Sequence, residues 1–173
     1  MNILFATTEV VPFCKTGGLG DVCGSLPRAL AKLGENPTII LPAFRQATEA
    51  GIRIESTGIT FEIPIGQKRV SGQLLRSQLP GTKVPVYLIE QADYFNRPGL
   101  YGENGEDYQD NCERFVFFCR AVLDVIEQVE LQVDVLHCHD WCAALLPAYL
   151  KTLYGDHPPY ENIATLYTIH NLA

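Results

Sequence analysis

Residues 1–26 read MNILFATTEVVPFCKTGGLGDVCGSL, and this stretch decides the fold. The apolar run from Asn2 to Thr7 predicts a buried strand, and the loop after it contains three closely spaced glycines. From Asp21 to Leu33 apolar residues recur at helical spacing, which predicts a helix with Asp21 as its cap and Gly34 at its end. The order of strand, glycine-rich loop and helix is typical of an α/β protein.

The rest of the chain extends this pattern. Pro37 to Leu41 predicts a second strand, and the resulting strand-helix-strand unit of about 40 residues suits a parallel crossover. The segments Ile59–Ile65, Arg69–Ser77 and Val84–Ile89 predict hairpin-like decoration. The later predicted elements are a long helix over Tyr108–Glu130, a strand over Val133–Cys138, a helix over Trp141–Leu153, a Pro-rich turn over Asp156–Glu161 and a strand over Ile163–Ile169. We therefore predict a single α/β domain over residues 1–173, with a mostly parallel sheet and helices on both faces.

Composition excludes several classes of partner. Of the 173 residues, 47% are hydrophobic and 19% are charged, which is typical of a packed globular domain. Thirteen basic and 20 acidic residues give a net charge of -7, which supplies no broad attraction to nucleic acid or anionic lipid. No apolar run is long enough for a membrane span, and the start lacks the features of a signal peptide. We expect neither nucleic acid nor a membrane as partner.

The six cysteines do not require a disulfide framework, because a chain of this length and apolar content can stabilise itself by its core. We expect reduced thiols and a cytoplasmic location. The cysteines are Cys14, Cys23, Cys112, Cys119, Cys138 and Cys142.

The glycines of the first loop are compatible with two interpretations. Gly17, Gly18 and Gly20 let backbone approach a ligand closely and direct unpaired N–H groups at an anion, with Lys15 as an added positive charge. Alternatively, the glycines serve only a tight turn. The loop is not a Walker loop, because Lys15 precedes the glycines, and it fits a dinucleotide fingerprint poorly. A small anionic ligand remains the more specific hypothesis.

A second group of residues also allows alternatives. His137, Cys138, His139 and Cys142 are metal-ligand types, but alternate residues of a strand point to opposite faces and no second ligand pair follows. We therefore expect no metal site there. In the absence of other information, Asp140 would cap the following helix and His170 would be a histidine at the end of a strand.

Several motifs nevertheless resemble one family. Lys15-Thr16-Gly17-Gly18-Leu19-Gly20-Asp21-Val22, followed by Gly24-Ser25-Leu26-Pro27, is similar to the start of bacterial glycogen synthases and plant starch synthases. The further matches, in the order of the family, are Leu41-Pro42, Tyr108-Gln109-Asp110-Asn111, Arg114-Phe115, His137-Cys138-His139-Asp140-Trp141 and Thr168-Ile169-His170-Asn171-Leu172-Ala173. The resemblance covers nearly the whole chain.

The resemblance implies a fold and an activity. Such enzymes have two Rossmann-like domains in the GT-B arrangement and transfer glucose from ADP-glucose, or UDP-glucose in some relatives, to the nonreducing end of an α-1,4-glucan with retention. They need no metal or other cofactor. By this resemblance the chain is the N-terminal, acceptor-side part, inactive without a second, nucleotide-binding domain of the same protein. Its location would be the cytoplasm, or the plastid stroma in a plant.

The resemblance also implies roles for individual residues. Lys15 and the backbone at Gly18 would contact the leaving diphosphate, and His170 would contact the transferred glucose near its 6-hydroxyl. Asp140 would lie on the acceptor side. Lys15, Asp140 and His170 are the expected catalytic residues. The full set expected to bind substrate is Lys15, Gly17, Gly18, Gly20, Asp21, Tyr101, Asp140, His170 and Asn171.

One alternative of a different class stays open. The same half-fold suits a noncatalytic module that binds a sugar or a nucleotide sugar. The presence of Lys15, Asp21 and His170 together favours the enzyme, because mere binding has little physical need for all three.

Overall fold

The structure is a computed structural model, and it describes residues 1–155 and 157–171. Three residues of the predicted elements lie outside the described residues. They are Asp156 of the Pro-rich turn, and Leu172 and Ala173 of the last motif. Within the described part, no helix combines the length and the apolar character needed to cross a membrane.

The secondary structure alternates as the sequence predicts. The strands are β1 (Asn2–Ala6), β2 (Asn36–Pro42), β3 (Glu55–Ile65), β4 (Lys68–Gln78), β5 (Pro85–Glu90), β6 (Gly102–Glu103), β7 (Glu106–Asp107), β8 (Val135–His139) and β9 (Ala164–Thr168). The helices are α1 (Gly18–Lys32), α2 (Arg45–Thr48), α3 (Ala92–Phe95), α4 (Asn111–Gln128) and α5 (Leu145–Thr152), with a 3-10 turn over Trp141–Ala143.

A seven-stranded sheet forms the centre of the domain, in the order β3-β4-β5-β2-β1-β8-β9. The five strands from β5 to β9 in this order run parallel, and β3 and β4 add antiparallel pairs at one edge. Consecutive residues of β1 and β8 are buried, which shows that both faces of the central strands are covered. The predicted mostly parallel sheet with helices on both faces is confirmed.

The prediction for the middle of the chain is right for the hairpin and wrong for the segment after it. β3 and β4 form the hairpin, but β5 pairs in parallel with β2, with Ile39 opposite Val86. Leu88 and Ile89 are adjacent and both fully buried, as expected for a central strand. The periodicity of a short apolar run is the same for an edge strand and a central strand, so the sequence pattern does not distinguish the central strand β5 from the hairpin-like decoration.

Helix α1 begins three residues before the predicted cap. Its N-cap is Gly17, without a side-chain hydrogen bond, and Asp21 lies in the first turn. The prediction of Asp21 as the cap is therefore wrong, because the carboxylate of Asp21 pairs with Lys15 instead. The predicted helix over Trp141–Leu153 is also shorter, since a 3-10 turn precedes α5.

Two glycines of the first segment allow the loop to pack against α1. A Cβ added to Gly24 would lie 2.7 Å from the carbonyl oxygen of Val11, and one added to Gly20 would lie 2.6 Å from the Cβ of Lys15. The amide of Val11 also donates to the Gly20 carbonyl at 3.0 Å. Close packing of the loop on the helix therefore requires glycine at these two positions, whatever binds nearby.

This packing predicts that Gly24→Ala lowers the free energy of unfolding by about 1–3 kcal/mol, because the added methyl group overlaps backbone that cannot rotate away. Urea denaturation measures the effect. Gly18→Ala is the matched control in the same helix, because its methyl group meets nothing within 4 Å and alanine favours the helix. Equal stability of the two variants would contradict this account.

Candidate functional site

The candidate site lies where three adjacent parallel strands end. β1 pairs in parallel with β8, and β8 pairs in parallel with β9. The segments that follow these three strands therefore all start at the carboxyl end of the sheet. Glu9 follows β1, Asp140 follows β8, and His170 follows β9. The carboxyl ends of parallel strands are where α/β sheets bind ligands, and the sequence brings charged and polar side chains there.

A buried carboxylate organises the glycine-rich loop. Glu9 is only 3% exposed, and its Oε2 accepts from the amides of Thr16 at 2.6 Å and Gly17 at 3.0 Å. Its Oε1 accepts from the Thr16 hydroxyl at 2.7 Å and from the Tyr101 hydroxyl at 2.8 Å. We call these four residues, Glu9, Thr16, Gly17 and Tyr101, the Glu9 cluster. It joins the loop after β1 to the distant segment that carries Tyr101.

The donors around Glu9 keep its carboxylate ionised. Burial raises its pKa, but hydrogen bonds from the hydroxyl and amide of Thr16, the amide of Gly17 and the hydroxyl of Tyr101 outweigh burial and bring the pKa below its ordinary value. Burial also raises the pKa of Tyr101 far above its ordinary value, so its hydroxyl keeps the proton that it donates to Glu9. The cluster is a buried anion stabilised by neutral donors.

The Glu9 cluster determines which loop amides remain for a ligand. The amides of Thr16 and Gly17 are bonded to Glu9, whereas Gly18 opens α1, where the first amides have no acceptor inside the helix. Gly17 and Gly18 are exposed, and a Cβ on either would meet nothing within 4 Å. Bare backbone at the positive end of a 15-residue helix can bind an anion.

Lys15 lies beside this helix start, on the solvent side. Its Nζ is 2.7 Å and 2.6 Å from the two carboxylate oxygens of Asp21, and both side chains are about half exposed. Exposed ion pairs contribute little to stability, so the ammonium group can exchange Asp21 for a bound anion at small cost.

Asp140 connects the ends of β8 and β9. Its Oδ1 accepts from the amide of His170 at 2.6 Å and, at the longer distance of 3.4 Å, from the amide of Asn171. It makes no side-chain cap to the following turn, so the alternative of a simple helix cap is wrong. Its backbone, at φ 55 and ψ -178, is in a region that costs a non-glycine residue about 1–3 kcal/mol. Such strain is concentrated at functional sites.

Three histidines line the ends of the same strands. Nδ1 of His139 is 2.9 Å from Nε2 of His170, and Nε2 of His137 is 2.8 Å from the Thr168 hydroxyl. Burial, with smaller contributions from His137 and His170, lowers the pKa of His139 to about 3, and burial also lowers the pKa of His137. Among residues 1–155 and 157–171, no three histidine, cysteine or acidic side chains are grouped closely enough to hold a metal.

Sequence reasoning missed the residues that hold Tyr101 in place. Arg114 is fully buried, and it donates to the carbonyls of Leu100 at 2.9 Å and Tyr94 at 2.8 Å. Asn111 donates to the Tyr101 carbonyl at 2.8 Å. Burial lowers the pKa of Arg114 to about 10, so the guanidinium is still charged at neutral pH. In the sequence, Arg114 and Asn111 stand out only as parts of the motifs that resemble the family.

The predicted site residues form two groups rather than one. Lys15, Gly17 and Tyr101 belong to the loop region around Glu9, while His170 and Asn171 gather around Asp140. Within the described chain no hydrogen bond or ion pair joins one group to the other. The connection is through Trp141, the residue after Asp140, whose ring centroid is 5.8 Å from that of Tyr101.

Glu9 is the most important residue that the sequence interpretation passed over. The signal available was slight, since Thr8 and Glu9 appear only as polar residues at the end of an apolar strand. Nothing in the local sequence shows that Glu9 turns inward toward Thr16 and Gly17, because those bonds depend on how the loop folds back.

Three comparisons with known proteins agree on one family. The model of the starch synthase catalytic domain family matches residues 2–173. Glycogen synthases of Rhodopirellula baltica and Syntrophotalea carbinolica are each 44% identical over 100% and 99% of this chain, which spans 36% and 35% of their own lengths. A solved catalytic domain of starch synthase IV from Arabidopsis thaliana, bound to ADP and acarbose, matches 98% of this chain with a TM-score of 0.85 and 29% identity, and the chain spans 34% of it.

The Glu9 cluster predicts a loss of stability on Glu9→Gln, by about 1–3 kcal/mol at neutral pH, because an amide cannot accept all four bonds. In the folded protein the pKa of Glu9 is below its ordinary value of 4.5. The ionised carboxylate therefore stabilises the parent protein fully above pH 4.5, and this contribution is lost as the pH falls through the pKa of the folded state. The variant should show a smaller loss over this acidic range.

Urea denaturation across that pH range measures both effects. Glu62→Gln, which changes an exposed carboxylate on β3, is the control and should stay within about 0.5 kcal/mol of the parent. An equal and small effect of the two substitutions would show that the Glu9 bonds contribute nothing.

Proposed function

The chain belongs to the starch synthase catalytic domain family, and from this we propose that it is the acceptor-side part of a glucosyltransferase. The enzyme would transfer glucose from ADP-glucose to the nonreducing end of an α-1,4-glucan, with retention of the anomeric configuration. One structural observation carries the proposal, namely the exposed backbone of Gly17 and Gly18 at the start of α1, beside Lys15. A helix start of this kind, at the carboxyl end of a parallel sheet, supports the binding of a diphosphate.

The leaving diphosphate is the proposed ligand of this helix start. Negative charge grows on the diphosphate as the bond to glucose breaks, so the amides from Gly18 onward and the ammonium of Lys15 would bind the transition state more tightly than the ground state. Lys15 would leave Asp21 to do so. The Arabidopsis domain was solved with ADP and acarbose, which supports a nucleoside diphosphate and a sugar as ligands of this chain.

The second group of residues would hold the sugars. Oδ1 of Asp140 accepts hydrogen bonds from the amides of His170 and Asn171, and these bonds fix the segment after β9. We propose that its carboxylate also accepts from sugar hydroxyls on the acceptor side, near Tyr101. His170 would contact the transferred glucose near its 6-hydroxyl.

No metal or other cofactor enters the proposed reaction, because the helix start and Lys15 supply the positive charge at the leaving group. The relatives are nearly three times as long as this chain, which spans 36% and 35% of the two glycogen synthases compared above. We propose that a second domain of the same protein completes the donor site, and that the reaction takes place in the cytoplasm.

The activity predicts glucose incorporation by the full-length protein. Purified protein incubated with glycogen and radiolabelled ADP-glucose should transfer label to the polymer, and residues 1–173 alone should transfer none. A folded full-length protein that binds ADP-glucose and glycogen but transfers no label would instead be a noncatalytic module. That result would overturn the proposed enzyme.

The role of Lys15 predicts that Lys15→Ala in the full-length protein reduces kcat by about 100-fold or more, since it removes a charge that stabilises the leaving group. Lys32→Ala, in the last turn of the same helix, is the matched control and should leave kcat unchanged. Steady-state kinetics with ADP-glucose measures both variants. Similar kcat values for Lys15→Ala and the control would remove Lys15 from the site.

A further inference from the structure

The two ring nitrogens of His139 have unequal surroundings. The side chain is fully buried, and its Nδ1 lies 2.9 Å from Nε2 of His170. Its Nε2 is also buried and has no hydrogen-bond partner among the described residues. The ring stacks on Phe5, with the centroids 5.7 Å apart and the planes within 15°. A buried, unpartnered nitrogen restricts where this ring can carry its proton.

Only two arrangements of protons satisfy the bond between the rings when both are neutral. In the first, Nδ1–H of His139 donates to a bare Nε2 of His170. In the second, Nε2–H of His170 donates to a bare Nδ1 of His139, and His139 must then carry its proton on Nε2. His139 itself is neutral, since burial lowers its pKa to about 3. The two arrangements differ in what they leave unpaired inside the protein.

The second arrangement leaves a buried N–H of His139 without an acceptor. Buried donors without a partner are rare in proteins and less often tolerated than acceptors that lack one. The first arrangement leaves only a bare ring nitrogen, an acceptor without a donor, at that position. The structure therefore favours the first arrangement.

We propose that His139 is a positioning residue that donates its Nδ1–H to Nε2 of His170 and so holds His170 in the tautomer with its proton on Nδ1. This inference deepens the proposed function, on which its catalytic consequence rests. With Nε2 occupied by a hydrogen bond and Nδ1 protonated, His170 has no free lone pair. It binds a sugar hydroxyl as a donor and does not act as a general base.

The protonation of the rings can be read directly by NMR. The chain has only four histidines, so labelling them with ¹⁵N gives few signals, and single substitutions assign them. Long-range ¹H–¹⁵N correlations at pH 8, well above the ordinary histidine pKa of about 6.5, show which nitrogen carries the proton. We expect His170 to be protonated on Nδ1. A proton on Nε2 of His170 would overturn the proposal.

Two substitutions at His139 separate the hydrogen bond from packing. Asn offers an N–H donor close to the position of Nδ1, whereas Leu fills similar space without a donor. In His139→Asn we expect His170 to keep its proton on Nδ1, and in His139→Leu we expect a mixture of tautomers. An unchanged tautomer in the Leu variant would show that His139 does not set it. Thermal unfolding checks that both variants fold.

The kinetic consequence is measured in the full-length protein. His139→Leu should reduce kcat by about 10- to 100-fold, as is usual when a supporting hydrogen bond to a site residue is lost, and His139→Asn should recover most of that loss. Equal loss in both variants would point to packing alone and overturn the positioning role. The NMR result does not depend on activity, so failure of the proposed transferase and failure of this inference are distinguishable.

Discussion

The site depends on one constraint, the hydrogen bonding of a buried carboxylate at the end of the first strand. Glu9 cannot be buried as an anion without several donors, and the backbone of Thr16 and Gly17 supplies two of them. Meeting this need folds the loop back over the strand end. The same bonds place Gly18 at the start of α1, where its amide has no acceptor inside the helix and is free to bind a ligand. The position of the loop is therefore fixed before any ligand arrives.

A second carboxylate repeats this arrangement at the end of β8, the strand beside β1 in the sheet. Asp140 follows β8 and accepts from the amides of His170 and Asn171, which follow β9. In each case a carboxylate just after a strand accepts hydrogen bonds from backbone amides, those of its own loop for Glu9 and those of the segment after β9 for Asp140. The backbone of Asp140 is strained in this arrangement, because its φ is positive. The hydrogen-bonded pair of His139 and His170 lies beside this fixed backbone.

The sequence predicts the alternation of strands and helices because hydrophobic periodicity and glycines are local signals. It predicts the motif residues around Lys15 and His170 through a family resemblance. It does not predict the central position of β5, since a strand paired on both sides has the same short apolar pattern as one at an edge. Nor does it predict that Glu9 accepts from the hydroxyl of Tyr101, or that Arg114 donates to the carbonyl of Leu100, because only the tertiary fold brings these groups together.

The most direct measurement is a crystal structure of the full-length protein with bound ADP. The account predicts a diphosphate oxygen within hydrogen-bond distance of the Gly18 amide and of Nζ of Lys15, with Glu9 still bonded to the amides of Thr16 and Gly17. A diphosphate bound away from the start of α1, or one that displaces Glu9 from those amides, would contradict it.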